Sequence, residues 1–281
     1  MTELMTKRKL QEVLRKLSER DFEILYVLLK YRFMTTHHLR RLLFTNNASK
    51  LAALRASNRI LAKLREYEII DTLNRRIGGI RAGSGAFVWT LTPNGIKLLA
   101  MQNKAEDILP RKRTYEPSTA FLEHTLAVTE TAVRLHELHA AEKLSLTSTA
   151  NEPDCWRIYS GAGGEAKTLK PDMCAVTVIG EYEDSWFLEL DLASEAPKTI
   201  LSKCMQYIAY CKTGAEQHKR GVFPYVVFIV PDRKRQENLE RHILKGLPEK
   251  EHRLFLVIVM EELEPLLLKG AEKFNKERKT P

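Results

Sequence analysis

The sequence predicts a two-part chain of α+β or α/β class, with a helical N-terminal part closed by a β-hairpin and a C-terminal mixed β-sheet flanked by helices. Three observations carry that prediction. Apolar residues recur at helical spacing between positions 19 and 67, and two short strand-like runs then flank the glycine-rich stretch GGIRAGSG. Two acid-bearing apolar runs, 172–179 and 186–192, follow one another closely enough to form a hairpin. Beyond Pro197 the pattern alternates helix, strand, helix, strand, helix, as a βαβ crossover requires.

In the N-terminal part, Phe22, Leu25, Tyr26, Leu29 and Phe33 mark the apolar stripe of a first helix, with Ser18 and Asp21 placed to cap it. Thr35 or Thr36 caps a short second helix through Phe44. A third helix runs from about Lys50 to Tyr67, with Leu51, Leu54, Ile60, Leu61 and Leu64 turned inward. Strands at 69–74 and 86–91 enclose the glycine-rich turn, and Thr92-Pro93 provides an N-cap and a first-turn proline for a closing helix. Three helices, a hairpin and a closing helix make a winged helix-turn-helix over residues 1–101. Residues 102–117, with two prolines and the basic cluster RKR, read as a linker, which leaves 118–281 as the second domain.

The second domain opens with a long helix from Ser118 to about Leu144. Strands follow at 155–159, 172–179 and 186–192, then a helix at about 198–213, a strand at 225–230, a helix at about 233–246, a strand at 254–259 and a last helix whose end, EKFNKERKTP, is expected to fray.

Charge separates the two parts. Residues 1–115 carry 23 Lys and Arg against 10 Asp and Glu, a balance of +13; residues 116–281 carry 22 against 26, a balance of −4. Such asymmetry suits a polyanionic partner for the N-terminal part, because cations that neutralise phosphates release counterions. In a winged helix the third helix enters the major groove and the wing follows the backbone. Here that helix carries Lys50, Arg55, Arg59 and Lys63, and the wing carries Arg75, Arg76 and Arg81. The expected partner is double-stranded DNA.

The remaining composition narrows the class further. A 44% apolar and 29% charged chain is that of a soluble globular protein, and no apolar run approaches the roughly 18 residues of a membrane span. Cys155, Cys174, Cys204 and Cys211 show neither CxxC nor zinc-like spacing, which fits a reducing cytoplasm. His136 and His139 in HELH lack the HExxH spacing of a zinc site, and GAGGEAKTLK lacks the GK[ST] of a phosphate loop.

The chemistry concentrates between 170 and 210. Asp172 follows Pro171 at a strand start, and Glu189 and Asp191, two apart in the next strand, share a face. Three carboxylates at this density suit Mg²⁺ or Mn²⁺ rather than zinc. Lys203, Gln206 and Tyr210 follow on one helical face. At this point a resemblance can be stated. Residues 155–230 resemble the PD-(D/E)xK nuclease core, with Asp172 at the PD aspartate, Glu189 at the (D/E) position and Gln206 to Tyr210 as the QhxxY helix of the RecB-like branch. Taken whole, a winged helix, a helix bearing LEHTLAV and this core, the chain resembles the replication-relaxation family of plasmid and mobile-element proteins.

The resemblance implies a restriction-endonuclease-like fold and metal-dependent DNA nicking, with other replication or transfer proteins as further partners and a dimer compatible with it. It departs from the pattern at position 191, where the nuclease lysine is replaced by aspartate. Lys203, and less directly Lys198, could supply the missing ammonium from the helix. The alternative is a degenerate nuclease fold that serves as a DNA-binding accessory or regulator. Glu165 could add the acid that such folds place ahead of the PD motif, and His124 matches the LEHTLAV segment. Tyr115, Tyr159 and Tyr210 are conceivable relaxase-type nucleophiles, but no histidine triad accompanies them.

Overall fold

A computed structural model of the chain describes residues 4–45, 48–74, 87–103, 117–161 and 163–279. The chain divides into two compact units, Met1–Glu137 and Leu138–Pro281. The architecture is mixed α/β, with N-terminal helices and a five-stranded mixed sheet flanked by helices.

The first unit runs α1 (Lys7–Leu14), α2 (Glu19–Tyr31), β1 (Met34–Thr35), α3 (Thr36–Leu43), α4 (Lys50–Glu66), β2 (Ile70–Thr72), β3 (Val88–Leu91), α5 (Pro93–Asn103) and most of α6 (Thr119–Ala140). Local chemistry sets the helix starts. Ser18 and Asp21 form a reciprocal capping box on α2, Thr35 and His38 form another on α3, and Thr92 Oγ1 accepts from Gly95 N ahead of α5. Two elements had no sequence expectation. The first is α1, which Thr6 caps by accepting from Lys9 N; the second is β1, too short to read, which pairs Met34 with Trp89. The three antiparallel strands order as β1-β3-β2. The helices, the paired strands and the closing helix follow one another in the order read from the sequence. The expected wing residues Arg75, Arg76 and Arg81 lie outside the described residues.

Two apolar stripes differ from expectation. Helix α2 buries Ile24, Leu25, Leu28 and Tyr31 and leaves Tyr26 exposed, so the core face is rotated from the anticipated one. Helix α4 buries Ala53, Ser57, Leu61 and Leu64, while Leu51 is exposed. Small residues at 53 and 57 allow α4 to approach its neighbours closely, and bulk alone does not reveal that. Gly95 is required for a similar reason, because a Cβ there would lie 2.1 Å from the carbonyl oxygen of Ile69.

Residues 118–137, assigned to the second domain in the sequence, fall within the first compact unit. Arg41 binds Glu130 and Glu137 of α6 at 2.5 and 2.6 Å, and Thr129 Oγ1 donates to the carbonyl of Phe33. Phe33, Val88, Leu122 and Leu126 pack together beneath these polar contacts.

The second unit continues with β4 (Ser145–Asn151), β5 (Arg157–Ser160), β6 (Ala166–Leu169), β7 (Met173–Ile179), β8 (Tyr182–Leu190), α7 (Pro197–Cys211), α8 (Ala215–Arg220), β9 (Tyr225–Val230), α9 (Arg233–Gly246), β10 (Phe255–Val259), α10 (Leu263–Lys269) and α11 (Ala271–Lys279). The sheet order is β10-β9-β8-β7-β4; β8, β9 and β10 run parallel, and β7 and β4 complete it antiparallel. The parallel strands YVVFIV and FLVIV are continuous apolar runs because helices cover them.

Several boundaries change. The long helix stops at Ala140 rather than near Leu144, and the polar SLTSTAN forms edge strand β4, whose exposed and half-buried side chains show no apolar alternation. The strand expected at 155–159 spans 157–160 and pairs with β6 in a separate ribbon. The helix expected at about 198–213 is α7 at 197–211, and a short helix with no sequence expectation, α8 at 215–220, follows Gly214, which adopts φ 74°. Of the tail expected to fray, residues up to 279 belong to helix α11, and 280–281 lie outside the described residues. Hairpin β7-β8 turns on Gly180 and Glu181, with Gly180 at φ 59°.

Candidate functional site

The β7-β8 register pairs Met173 with Leu188, so Asp172 sits one step beyond the pair, opposite Glu189. Both side chains are buried, at 9% and 2% exposure. Asp172 Oδ2 accepts from Leu190 N at 2.7 Å, which locks the carboxylate across the strand ends. Glu189 points to α7, where Lys203 Nζ lies 3.1 Å from Oε2 and the Tyr207 hydroxyl donates to Oε1 at 2.5 Å. Lys203 also lies 3.2 Å from Glu195.

Electrostatics follow from this burial. Desolvation, then the neighbouring charge of Asp172, pushes Glu189 up to about 7, with Lys203 and Tyr207 opposing the rise. Burial pulls the Lys203 ammonium down, but Glu189, Asp172 and Glu195 outweigh it and hold the group above its ordinary value. Tyr207 is raised well above a free phenol by burial and by Glu189. The cluster is therefore a buried carboxyl pair, one partly exposed ammonium and one buried phenol.

Asp191 stands apart from the cluster in its bonding. It follows the end of β8, and its Oδ2 accepts from Arg235 Nε at 2.7 Å while Oδ1 accepts from Ala193 N at 2.9 Å. Arg235 comes from the first turn of α9, beyond the C-terminal end of β9. Among the described residues, no group of three His, Cys, Asp or Glu side chains could hold a metal ion. The expected three-carboxylate set is therefore not assembled. Asp172 and Glu189 remain as an oxygen-donor pair whose mutual repulsion a hard cation would relieve, which suits Mg²⁺ or Mn²⁺.

The other expected residues fall in different places. Tyr210, although on α7, donates to Glu216 Oε1 at 3.0 Å rather than to the carboxyl pair, and Arg157 Nε meets the same oxygen at 2.7 Å. Gln206 and Lys198 are exposed on α7. Glu165 is exposed and pairs with Lys167 at 2.8 Å. His136 Nε2 lies 3.3 Å from the Tyr31 hydroxyl, and His139 Nδ1 accepts from Leu146 N. Tyr207 and Arg235 were missed. Tyr207 stands four residues after Lys203 on the same helical face, so periodicity alone could have found it. Arg235 carried no local signal; only the convergence of parallel-strand ends brings it to Asp191.

On the first unit, Lys50, Arg55 and Arg59 of α4 are exposed and make no ion pair among the described residues. Lys63 differs: its Nζ lies 2.5 Å from Oδ2 of the fully buried Asp21. It is a structural counterion, so of the three cations four apart on one face of α4, Arg55 and Arg59 remain exposed and Lys63 does not.

A family model described as replication-relaxation matches residues 25–226. No curated protein and no solved structure matches the chain. No helix among the described residues is long and apolar enough to cross a membrane.

Proposed function

The chain belongs to the replication-relaxation family, and from that premise we propose that it binds double-stranded DNA and nicks one strand at the Asp172–Glu189–Lys203 cluster. Family membership supports a role in the replication or transfer of plasmids or mobile elements. The observation that carries the nicking reading is the placement of Lys203 at 3.1 Å from Glu189 and beside the buried Asp172. This supplies from α7 the ammonium missing at position 191. Lys50, Arg55 and Arg59 hold the duplex through its phosphates and base edges.

Mg²⁺ or Mn²⁺ held by Asp172 and Glu189 would supply a polarised water and stabilise charge on the leaving oxygen. The chain's own residues prepare that place. Leu190 N fixes Asp172, the Tyr207 hydroxyl fixes Glu189 Oε1, and Lys203 offers positive charge to the attacked phosphate. Asp191 takes no part in holding the cation; with Arg235 it ties the end of β8 to α9.

Titration with Mn²⁺ monitored by electron paramagnetic resonance tests this assignment. One saturable site is expected, lost in Asp172→Ala and kept in Asp191→Asn; an unchanged isotherm in Asp172→Ala contradicts it. A second reading is favoured by the closed bonding of Glu189, whose two oxygens already have protein partners. In that reading the core is a non-catalytic platform for DNA binding, and no Mn²⁺ isotherm is observed.

A further inference from the structure

The sheet face that carries Glu189 also floors a cavity of about 310 Å³, walled by β5 and α8. Its floor is built in cross-strand rows. Ser148, Val176 and Ser185 form one row over β4, β7 and β8, and Ala150, Cys174 and Phe187 form the next. The row after that contains Asp172 and Glu189, two residues and roughly 7 Å further along each strand.

The polar groups of the cavity divide into satisfied and unsatisfied ones. Arg157 is satisfied: it bonds Glu216 at 2.7 Å and the carbonyl of Cys155 at 2.7 Å. Lys219 is exposed and has no partner among the described residues. Arg220 approaches Glu183 and Glu216 only at 3.9 Å, beyond hydrogen-bond distance, so its donors make no hydrogen bond among the described residues. Ser185 is 6% exposed, yet its hydroxyl has no hydrogen-bond partner among the described residues. The hydroxyl of a nearly buried serine that lines a cavity together with two cations lacking hydrogen-bonded partners among the described residues suits an anion, which would satisfy all three groups. The lining carries Arg157, Lys219 and Arg220 against Asp154 and Glu216, a formal balance of +1, with Glu183 3.9 Å from Arg220.

We propose that this cavity binds a nucleoside monophosphate. The phosphate would lie between Lys219, Arg220 and the Ser185 hydroxyl, and the base against the apolar patch of Ala150, Cys174, Val176 and Pro224. The volume suits such a ligand, and the lining combines a small number of placed polar groups with apolar surface. The nucleotide can be free or can be the 5′-phosphorylated end of a DNA strand. The strand-end form rests on the nicking reading, because the carboxyl pair adjoins the cavity on the same face; the pocket itself does not.

Calorimetric titration in the full-length Lys50→Glu/Arg55→Glu/Arg59→Glu background, which removes the exposed cations proposed to hold DNA on α4, separates these sources. The probes are dTMP, thymidine, and oligothymidylate with and without a 5′-phosphate. Wild-type cavity residues should bind dTMP at least tenfold tighter than thymidine. A free nucleotide as ligand gives equal affinity for dTMP and the phosphorylated oligomer, and a strand end gives at least tenfold preference for the phosphorylated oligomer. Lys219→Ala/Arg220→Ala, both at the surface, should weaken either by at least tenfold with unchanged circular dichroism, and Asp172→Ala should leave binding intact. The inference is overturned if dTMP and the phosphorylated oligomer show no saturable binding, if the phosphate makes no difference, or if Lys219→Ala/Arg220→Ala binds as tightly as its parent.

Discussion

Lys203 Nζ lies 3.1 Å from Glu189 Oε2, reaching from the second turn of α7 to the end of β8. The ammonium that a strand position would ordinarily supply comes from a helix, and it does so through a buried contact with Asp172 close by. Removing it leaves two buried carboxyl groups side by side. Lys203→Met is therefore expected to lose on the order of 3 kcal/mol at pH 8, where Glu189 must ionise unpaired or take up a proton, and much less at pH 5. Urea denaturation at the two pH values checks this.

Glu189 sets a second pH dependence. Its folded value of about 7 exceeds the ordinary 4.5, so its protonated form is favoured by folding. The associated stability is fully present below about pH 4.5 and is lost as pH rises through 7. A shift of this size corresponds to about 3 kcal/mol. With EDTA present, wild type should lose that much relative to Glu189→Gln between pH 4.5 and 8; parallel stability curves for the two proteins would contradict the assignment.

Tyr207 and Tyr210 lie three residues apart on α7 but serve different carboxylates. Tyr207→Phe removes a bond to Glu189 Oε1 and should raise the pH midpoint of any Glu189-dependent property. Tyr210→Phe disturbs the Glu216–Arg157 contact and should leave that midpoint unchanged. A stability-versus-pH profile of each variant distinguishes them.

The cationic face of α4 is testable by charge reversal. Arg55→Glu/Arg59→Glu should weaken duplex binding by on the order of tenfold or more and lower the salt slope by about 2. Lys63→Ala should instead cost about 3 kcal/mol of stability, because Asp21 is buried against it, with little change in affinity per folded molecule. Gel-shift titrations at several salt concentrations, paired with thermal denaturation, read both effects.

Much of this arrangement is legible in the chain. Helix caps at Ser18, Thr35 and Thr92, the β7-β8 hairpin and the apolar β9 and β10 all follow from local patterns. Edge strand β4 does not, since its polar sequence gains its place from pairing with β7 rather than from burial. The site divides in the same way. Asp172, Glu189 and Lys203 come together through strand register and helix periodicity, both readable from spacing. Asp191 shares the face of Glu189, yet its partner Arg235 is 44 residues away on α9 and only the crossover brings the two into contact. A sequence pattern counts the carboxylates; it does not show which of them another cation has already claimed.

The most direct test of the nicking site uses supercoiled plasmid with Mg²⁺ or Mn²⁺, scored for open circles under single-turnover conditions. Wild type is expected to produce nicked circles that EDTA abolishes, Asp172→Ala and Lys203→Met to slow the reaction by at least 100-fold, and Asp191→Asn to retain it. Plasmid left supercoiled by the folded, DNA-binding wild type, or nicked equally well by Asp172→Ala, would contradict the account.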